Sequence, residues 1–307
     1  MNIEQLVPNV DALTERLKEV GYLADPALAS ALFCAVRLPQ PLLLEGEAGV
    51  GKTAAAKALA ELLDTPLIRL QCFEGIDAAE ALYEWNYPRQ LLGIRVAEAR
   101  GETIEEESLF SPEFLIRRPL LAALEHTGPR PAVLLIDEVD RADEEFEAFL
   151  FELLAESTVT IPEIGTLRAT YPPIVLLTSN RTRDLHDALK RRCLYHWIDY
   201  PPLTQATAIV RARVPEAQMG LAIQVASSVQ RLRSLDLQKM PGVAEAIDWV
   251  NAAALLGIKD LTPEAAEQTL GSVLKYREDH DVARAAGLLW VVSGLGAPGG
   301  AATPVNS

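Results

Sequence analysis

Three features of this 307-residue sequence predict an α/β fold, a doubly wound parallel sheet followed by a small all-helical domain. Short continuous apolar runs at residues 42–45, 132–136 and 174–178 alternate with helical patterns. None of them alternates polar with apolar residues, which is how strands covered on both faces of a parallel sheet read. A glycine-rich segment, 46–53, lies directly between the first run and a helical pattern. After Pro201 and Pro202 the strand-like runs stop and every pattern is helical. Strand-helix alternation puts helices on both faces of the sheet.

The elements follow in order. Leu6, Val10, Leu13, Leu17 and Val20 are spaced as one face of a helix. Asp25 as N-cap and Pro26 at the first helical position open a second helix, with Leu28, Leu32 and Phe33 on one face, and Pro39 and Pro41 stop it. Residues 67–70 form a candidate fourth strand. Between 143 and 156, Phe146, Phe149, Leu150, Leu153 and Leu154 make one apolar stripe. Residues 158–171 mix Val159, Ile161, Leu167 and Tyr171 with threonines around a turn at 163–166, the pattern of a β-hairpin. Helical patterns at 217–232, 243–256, 263–274 and 279–290 build the second domain, with Trp249 and Trp290 on core-facing stripes. The expected division is therefore N-terminal helices at 1–38, an αβα core at 39–201, a helical domain at 202–293 and a disordered Gly, Ala and Pro-rich tail at 294–307.

Composition removes several classes. Hydrophobic residues at 49% and charged residues at 23% belong to a globular protein with a buried core. No apolar run reaches the ~18 residues of a membrane span. The first eleven residues lack a basic region, so no signal peptide is expected. Cys34, Cys72 and Cys193 are widely separated and have neither disulfide nor zinc spacing, so they read as reduced cytoplasmic thiols. His126, His186, His196 and His280 match no metal pattern. A formal net charge of -15 opposes broad binding to nucleic acid, which needs a positive footprint. The acidic run at 102–107 reads as a solvated loop.

Gly46, Glu47, Ala48, Gly49, Val50, Gly51, Lys52 and Thr53 spell the phosphate-loop pattern G-x-x-x-x-G-K-[ST]. Its glycines let backbone amides curl round a β-phosphate, and the following helix adds its positive end. Lys52 reaches the β and γ phosphates and Thr53 holds Mg²⁺. The bland alternative is a glycine-rich turn with an incidental lysine. The run at 132–136 ends in Asp137 and Glu138. Beside a phosphate loop, Asp137 can hold Mg²⁺ through water and Glu138 can orient a lytic water; alone they would be two solvated acids. No Asn-Lys-x-Asp follows to read guanine, which favours ATP. Asn180, closing the run at 174–178, can position water near a γ-phosphate or simply end a strand. Arg191 and Arg192 belong to a basic patch in an acidic chain, and a solvated helix end is the alternative. Tyr83, Trp85 and Tyr87 either contact a client or pack internally.

Taken in this order, these residues resemble the AAA+ ATPases. The likeness is strongest to the MoxR family and, within it, to its CoxD-like group. It spans roughly residues 22–256 and rests on 21–25, 44–53, 70–77, 114–121, 192–197 and above all on 83–92, Tyr-Glu-Trp-Asn-Tyr-Pro-Arg-Gln-Leu-Leu. The resemblance implies an ATP-hydrolysing chaperone forming a homo-oligomeric ring, usually a hexamer, with Mg²⁺-ATP bound between subunits. Lys52, Thr53, Asp137, Glu138 and the sensor-1 Asn180 would act from one protomer. Arg192, with Arg191 as the alternative, would be the arginine finger reaching the neighbour's γ-phosphate. The resemblance further implies a von Willebrand A-domain adaptor and a client metalloenzyme, a molybdenum hydroxylase such as carbon monoxide dehydrogenase. It also makes 75–111 the family's helix-2 insertion and 158–171 its hairpin before sensor 1. Related rings move nucleic acid, but the charge and the near absence of basic residues in the hairpin, which has only Arg168, oppose that reading. A nucleotide-gated switch with little turnover is the remaining alternative, which the intact Glu138 opposes. One departure stands out: the family's Ser-Pro-Arg sensor-2 motif is replaced by Met240-Pro241-Gly242-Val243-Ala244-Glu245. Arg231, Arg233 and Lys239 remain open as substitutes.

Overall fold

A computed structural model describes residues 3–101, 106–156 and 158–296. The expected tail lies outside these residues from position 297 onward, as does the acidic run through position 105. The chain divides into two compact units. One holds Met1–Val20, Ala24–Gly46 and Lys52–Trp197; the other holds Gly21–Leu23, Glu47–Gly51 and Ile198–Ser307.

Nine strands occur among the described residues, all in the first unit. They are β1 (Leu42–Glu45), β2 (Leu67–Gln71), β3 (Tyr83–Trp85), β4 (Leu115–Arg117), β5 (Val133–Asp137), β6 (Thr158–Ile161), β7 (Gly165–Arg168), β8 (Ile174–Ser179) and β9 (Leu194–Trp197). Five of them form a parallel sheet in the order β2-β5-β8-β1-β9. The three central strands, β1, β5 and β8, are buried along their whole length. This explains their unbroken apolar sequences: helices cover both faces, so neither face can be polar. The register pairs Glu45 with Ser179 and Gln71 with Asp137, so the carboxyl ends of the strands finish at one edge. In open α/β sheets that edge is where ligands bind.

Strand β5 extends one residue beyond the run expected at 132–136. Asp137 is the last residue of β5, because its carbonyl accepts the amide of Cys72 at 2.9 Å. The β6–β7 hairpin pairs Val159 with Leu167. The β3–β4 pair flanks the 87–100 helix and carries only three residues per strand, too few for a periodic signal. Trp85 is buried there edge-on to Tyr83 and Phe110, whereas Tyr87 is exposed.

Helix starts follow the local chemistry. The Asp25 carboxylate accepts the amides of Ala27 and Leu28, both at 2.9 Å, ahead of the Pro26–Arg37 helix. Such a cap contributes about 1 kcal/mol.

The second unit is helical: Leu203–Arg213, Met219–Leu232, Val243–Leu255, Pro263–Val273, Arg277–Ala286 and Leu288–Ser293. Its core gathers Val225, Val229, Trp249, Val250 and Leu270. Burying each such side chain stabilises the fold by about 1.5–3 kcal/mol. Trp249 is fully buried and satisfies its indole N–H on the Thr269 hydroxyl at 2.7 Å. The single helix expected at 279–290 is two, because Gly287 adopts φ +91°, which no helix interior allows. No helix among the described residues is long and apolar enough to cross a membrane.

Candidate nucleotide-binding site

The helix Lys52–Leu63 starts immediately after the glycine-rich segment. Lys52 is only 7% exposed, and its ammonium donates to the Gly46 carbonyl at 2.6 Å. A buried cation and the open amides of a helix start make a site for an anion. In the second unit, Gly49 and Gly51 take φ +77° and +101°, conformations that glycine adopts without penalty. There the Gly49 carbonyl accepts the amides of Val243 and Ala244 at 3.1 and 3.3 Å. A Cβ on Gly242 would stand 2.8 Å from the Gly49 carbonyl carbon and oxygen, so glycine is what permits this approach.

Asp137 and Glu138 leave the carboxyl end of β5. The Asp137 carboxylate is 2% exposed and has four donors around it. Thr53 Oγ1 lies 3.1 and 3.3 Å from its two oxygens, and Thr178 Oγ1 donates to Oδ1 at 2.5 Å. Arg69 Nε and Nη2 donate to Oδ2 at 2.9 and 2.6 Å. Glu138 adopts the left-handed conformation, φ +56° and ψ +50°. Its amide donates to Thr178 Oγ1 at 2.9 Å, and its carboxylate accepts from Gln71 Nε2 at 3.0 Å. One threonine on the neighbouring strand therefore ties both acids together.

Asn180 follows the end of β8. Its amide donates to Asp140 Oδ2 at 3.2 Å, and the same oxygen accepts the Thr182 amide at 2.8 Å and hydroxyl at 2.7 Å. Farther along, buried Glu147 pairs with Arg183 and accepts the His186 amide at 2.8 Å. Two buried acids thus pin the loop that carries Asn180. Thr53, Asp137, Glu138 and Asn180 all stand at the carboxyl edge of the sheet. Arg191 and Arg192 do not. They follow the short Asp187–Lys190 helix, precede β9, and share a cavity wall with Pro39, Gln40 and Pro41 at the amino end of β1. Both are exposed, at the amino edge of the sheet, opposite the edge that carries Asp137 and Glu138.

Sequence reading missed Thr178, Arg69, Gln71 and Asp140. Thr178 is hidden in an apolar run, but Arg69 and Gln71 show a polar alternation in β2, and Asp140 shows as a third acid three residues after Asp137. In the second unit, Arg231 donates to the carbonyls of Val291 and Val292, while Arg233 donates to the Pro241 carbonyl and stacks 4.1 Å above the Tyr200 ring. Burial pushes the thiols of Cys72 and Cys193 up to about 12, with the neighbouring Asp137, Asp140, Glu138 and Glu147 adding to the effect at Cys72.

A hydroxyl and a carboxylate oxygen about 3 Å apart suit Mg²⁺, a hard cation that takes few protein ligands and completes its shell with water and phosphate oxygens. Thr53 and Asp137 could hold it, and Lys52 could neutralise the phosphates. The family description "AAA domain (dynein-related subfamily)" matches residues 41–193. Those residues are an AAA ATPase domain.

The chain is 25% identical over 211 residues to the denitrification regulatory protein NirQ of Stutzerimonas stutzeri, covering 66% of this chain and 67% of NirQ. It is 27% identical over 271 residues to the ATP-dependent zinc metalloprotease FtsH 2 of Petrotoga mobilis, covering 83% of this chain but only 35% of that protein. The chain therefore spans about a third of FtsH 2 and two thirds of NirQ. The Thermotoga maritima RuvB Holliday junction branch migration motor superposes with a TM-score of 0.44 at 15% identity, over 87% of this chain and 68% of RuvB, a likeness too loose to carry weight.

Proposed function

We propose that the protein is a MoxR-type ATPase of the cytoplasm that forms a homo-oligomeric ring, a hexamer, and spends ATP to remodel a client metalloenzyme. The client class, a molybdenum hydroxylase such as carbon monoxide dehydrogenase, and a von Willebrand A-domain adaptor follow from the resemblance carried by residues 83–92. The observation that supports the ATPase reading best is the pair Thr53–Asp137, with hydroxyl and carboxylate 3.1 Å apart beside a buried lysine.

In this reading Gly46, Glu47, Ala48, Gly49, Val50 and Gly51 wrap the phosphates with backbone amides, and Lys52 carries the countercharge for the β and γ groups. Thr53 and Asp137 would hold Mg²⁺, which would supply positive charge against the phosphates. Glu138 accepts a proton from the attacking water, and Asn180 orients that water. Arg192, or Arg191 beside it, completes the site of the next subunit. Their place at the amino edge of the sheet supports action in trans, because they stand away from Asp137 and Glu138 of the same chain. A trans arginine of this kind is worth about 10³–10⁵ in rate.

Lys52→Ala is expected to abolish ATP binding in equilibrium titration. Arg192→Ala is expected to retain binding and lose hydrolysis, and mixing it with Glu138→Gln protein should restore activity at the shared interfaces. Unchanged ATP affinity in Lys52→Ala would reject the phosphate-loop assignment; no recovery on mixing would reject the trans arginine. Capture with Glu138→Gln in ATP should bring down a von Willebrand A-domain protein and a metalloenzyme subunit, and recovery of neither would reject that client class.

A further inference from the structure

The proposed nucleotide chemistry leaves two polar side chains of β2 without a role. Arg69 and Gln71 point to the same side of the strand, being two residues apart, and the β2–β5 register sets Gln71 opposite Asp137. Arg69 holds Oδ2 of Asp137 through two nitrogens, at 2.9 and 2.6 Å, and also donates to Gln71 Oε1. The other end of the Gln71 amide donates to Glu138 Oε2 at 3.0 Å. The result is a continuous chain, Asp137–Arg69–Gln71–Glu138, running outside the two acids.

A carboxylate offers about four acceptor positions. At Asp137, Arg69 takes two, Thr178 takes one and Thr53 takes another. A divalent cation or its water can reach this carboxylate only by displacing a donor. Thr178 is fully buried and has nowhere else to go, and Thr53 is itself the partner ligand. Arg69 is different: its side chain is 48% exposed and can swing into solvent. It is also a cation, and a second cation arriving at the same oxygen repels it.

We propose that Arg69, braced by Gln71, competes with Mg²⁺ for Asp137, so that metal arrival expels Arg69 and at the same time loosens the grip of Gln71 on Glu138. The inference rests on the ATPase reading of Thr53 and Asp137. It makes β2 a positioning element that keeps the water-activating acid tethered until metal is in place.

The test is a binding measurement. Mg²⁺ is titrated into wild-type full-length protein holding a fluorescent ADP analogue, and the midpoint for tightened nucleotide retention is recorded. Arg69→Met, which keeps the stem and removes the charge, should shift that midpoint about tenfold lower, as expected for losing one charge-assisted competitor. Gln71→Leu should shift it in the same direction by less, since Arg69 stays but loses its brace. Arg69→Lys, which keeps a cation, should stay near wild type and shows that the site folds. An unchanged or higher midpoint in Arg69→Met would overturn the inference while leaving the ATPase reading standing. If the wild type itself shows no Mg²⁺-dependent retention, both fall together.

Discussion

Thr178→Val is the most informative single substitution in the candidate site. Valine keeps the shape of threonine and loses only the hydroxyl, so a large effect must come from hydrogen bonding. Two bonds disappear: the 2.5 Å donation to the Asp137 carboxylate and the 2.9 Å acceptance of the Glu138 amide. Residue 178 is fully buried, so water cannot replace them. A hydrogen bond to a charged group is worth about 1.5–3 kcal/mol, and a buried amide left without a partner costs about 1–3 kcal/mol. The expected loss is about 3–5 kcal/mol, a large part of the ~5–15 kcal/mol that holds a domain folded. Function should suffer separately. Glu138 sits in the left-handed conformation, which costs a non-glycine residue about 1–2 kcal/mol. The Thr178 bond is one of the contacts that keep it there. Once released, Glu138 relaxes and moves its carboxylate, and a misplacement of about 1 Å costs about 100-fold in rate. Urea unfolding followed by circular dichroism reads the stability, and steady-state ATP hydrolysis at saturating Mg²⁺ reads the turnover, with Thr178→Ser as the control that keeps the hydroxyl. A Thr178→Val protein within about 0.5 kcal/mol of wild type and with unchanged turnover would refute the idea that this hydroxyl organises the two acids.

Two further outcomes are expected. Gly242→Ala brings a Cβ to 2.8 Å from the Gly49 backbone and 2.9 Å from the Ala48 carbonyl, so the backbones must separate and the 3.1 and 3.3 Å bonds to Gly49 stretch past useful range. Nucleotide affinity should fall about tenfold in equilibrium binding, and an unchanged affinity would mean that this approach is not needed to shape the loop. The thiols of Cys72 and Cys193, held up to about 12, should resist iodoacetamide at pH 8 in the native protein and react after unfolding in urea. Because the folded values lie above the ordinary thiol value of 9.0, their contribution to stability is whole below that pH and is lost as pH rises toward 12. Rapid labelling of both in the native state would contradict the burial.

Legibility in the sequence divides along a physical line. The central strands could be read because burial on both faces forces an unbroken apolar run, a purely local signature seen at Leu42–Glu45 and Ile174–Ser179. The phosphate-loop residues were legible for a related reason: positive φ at Gly49 and Gly51 and a lysine at the helix start are written in consecutive positions. What escaped depends on pairing between distant strands. Nothing next to Arg69 says that β2 will lie beside β5, and nothing next to Thr178 says that its hydroxyl will face the acids 40 and 41 residues earlier. The Gly287 break escaped too, since an isolated glycine inside an apolar helical pattern can be tolerated and does not by itself mark an end. The acids at 137 and 138, and a separate expected role for each, can be read from the chain alone, but the donors that surround them cannot. Asp137 is surrounded by donors and Glu138 is held by one amide because β2 and β8 flank β5 in this sheet order. A sequence that kept both acids and the glycine-rich motif but lost Arg69, Gln71 or Thr178 would therefore still display the motif while losing the donors that surround each acid.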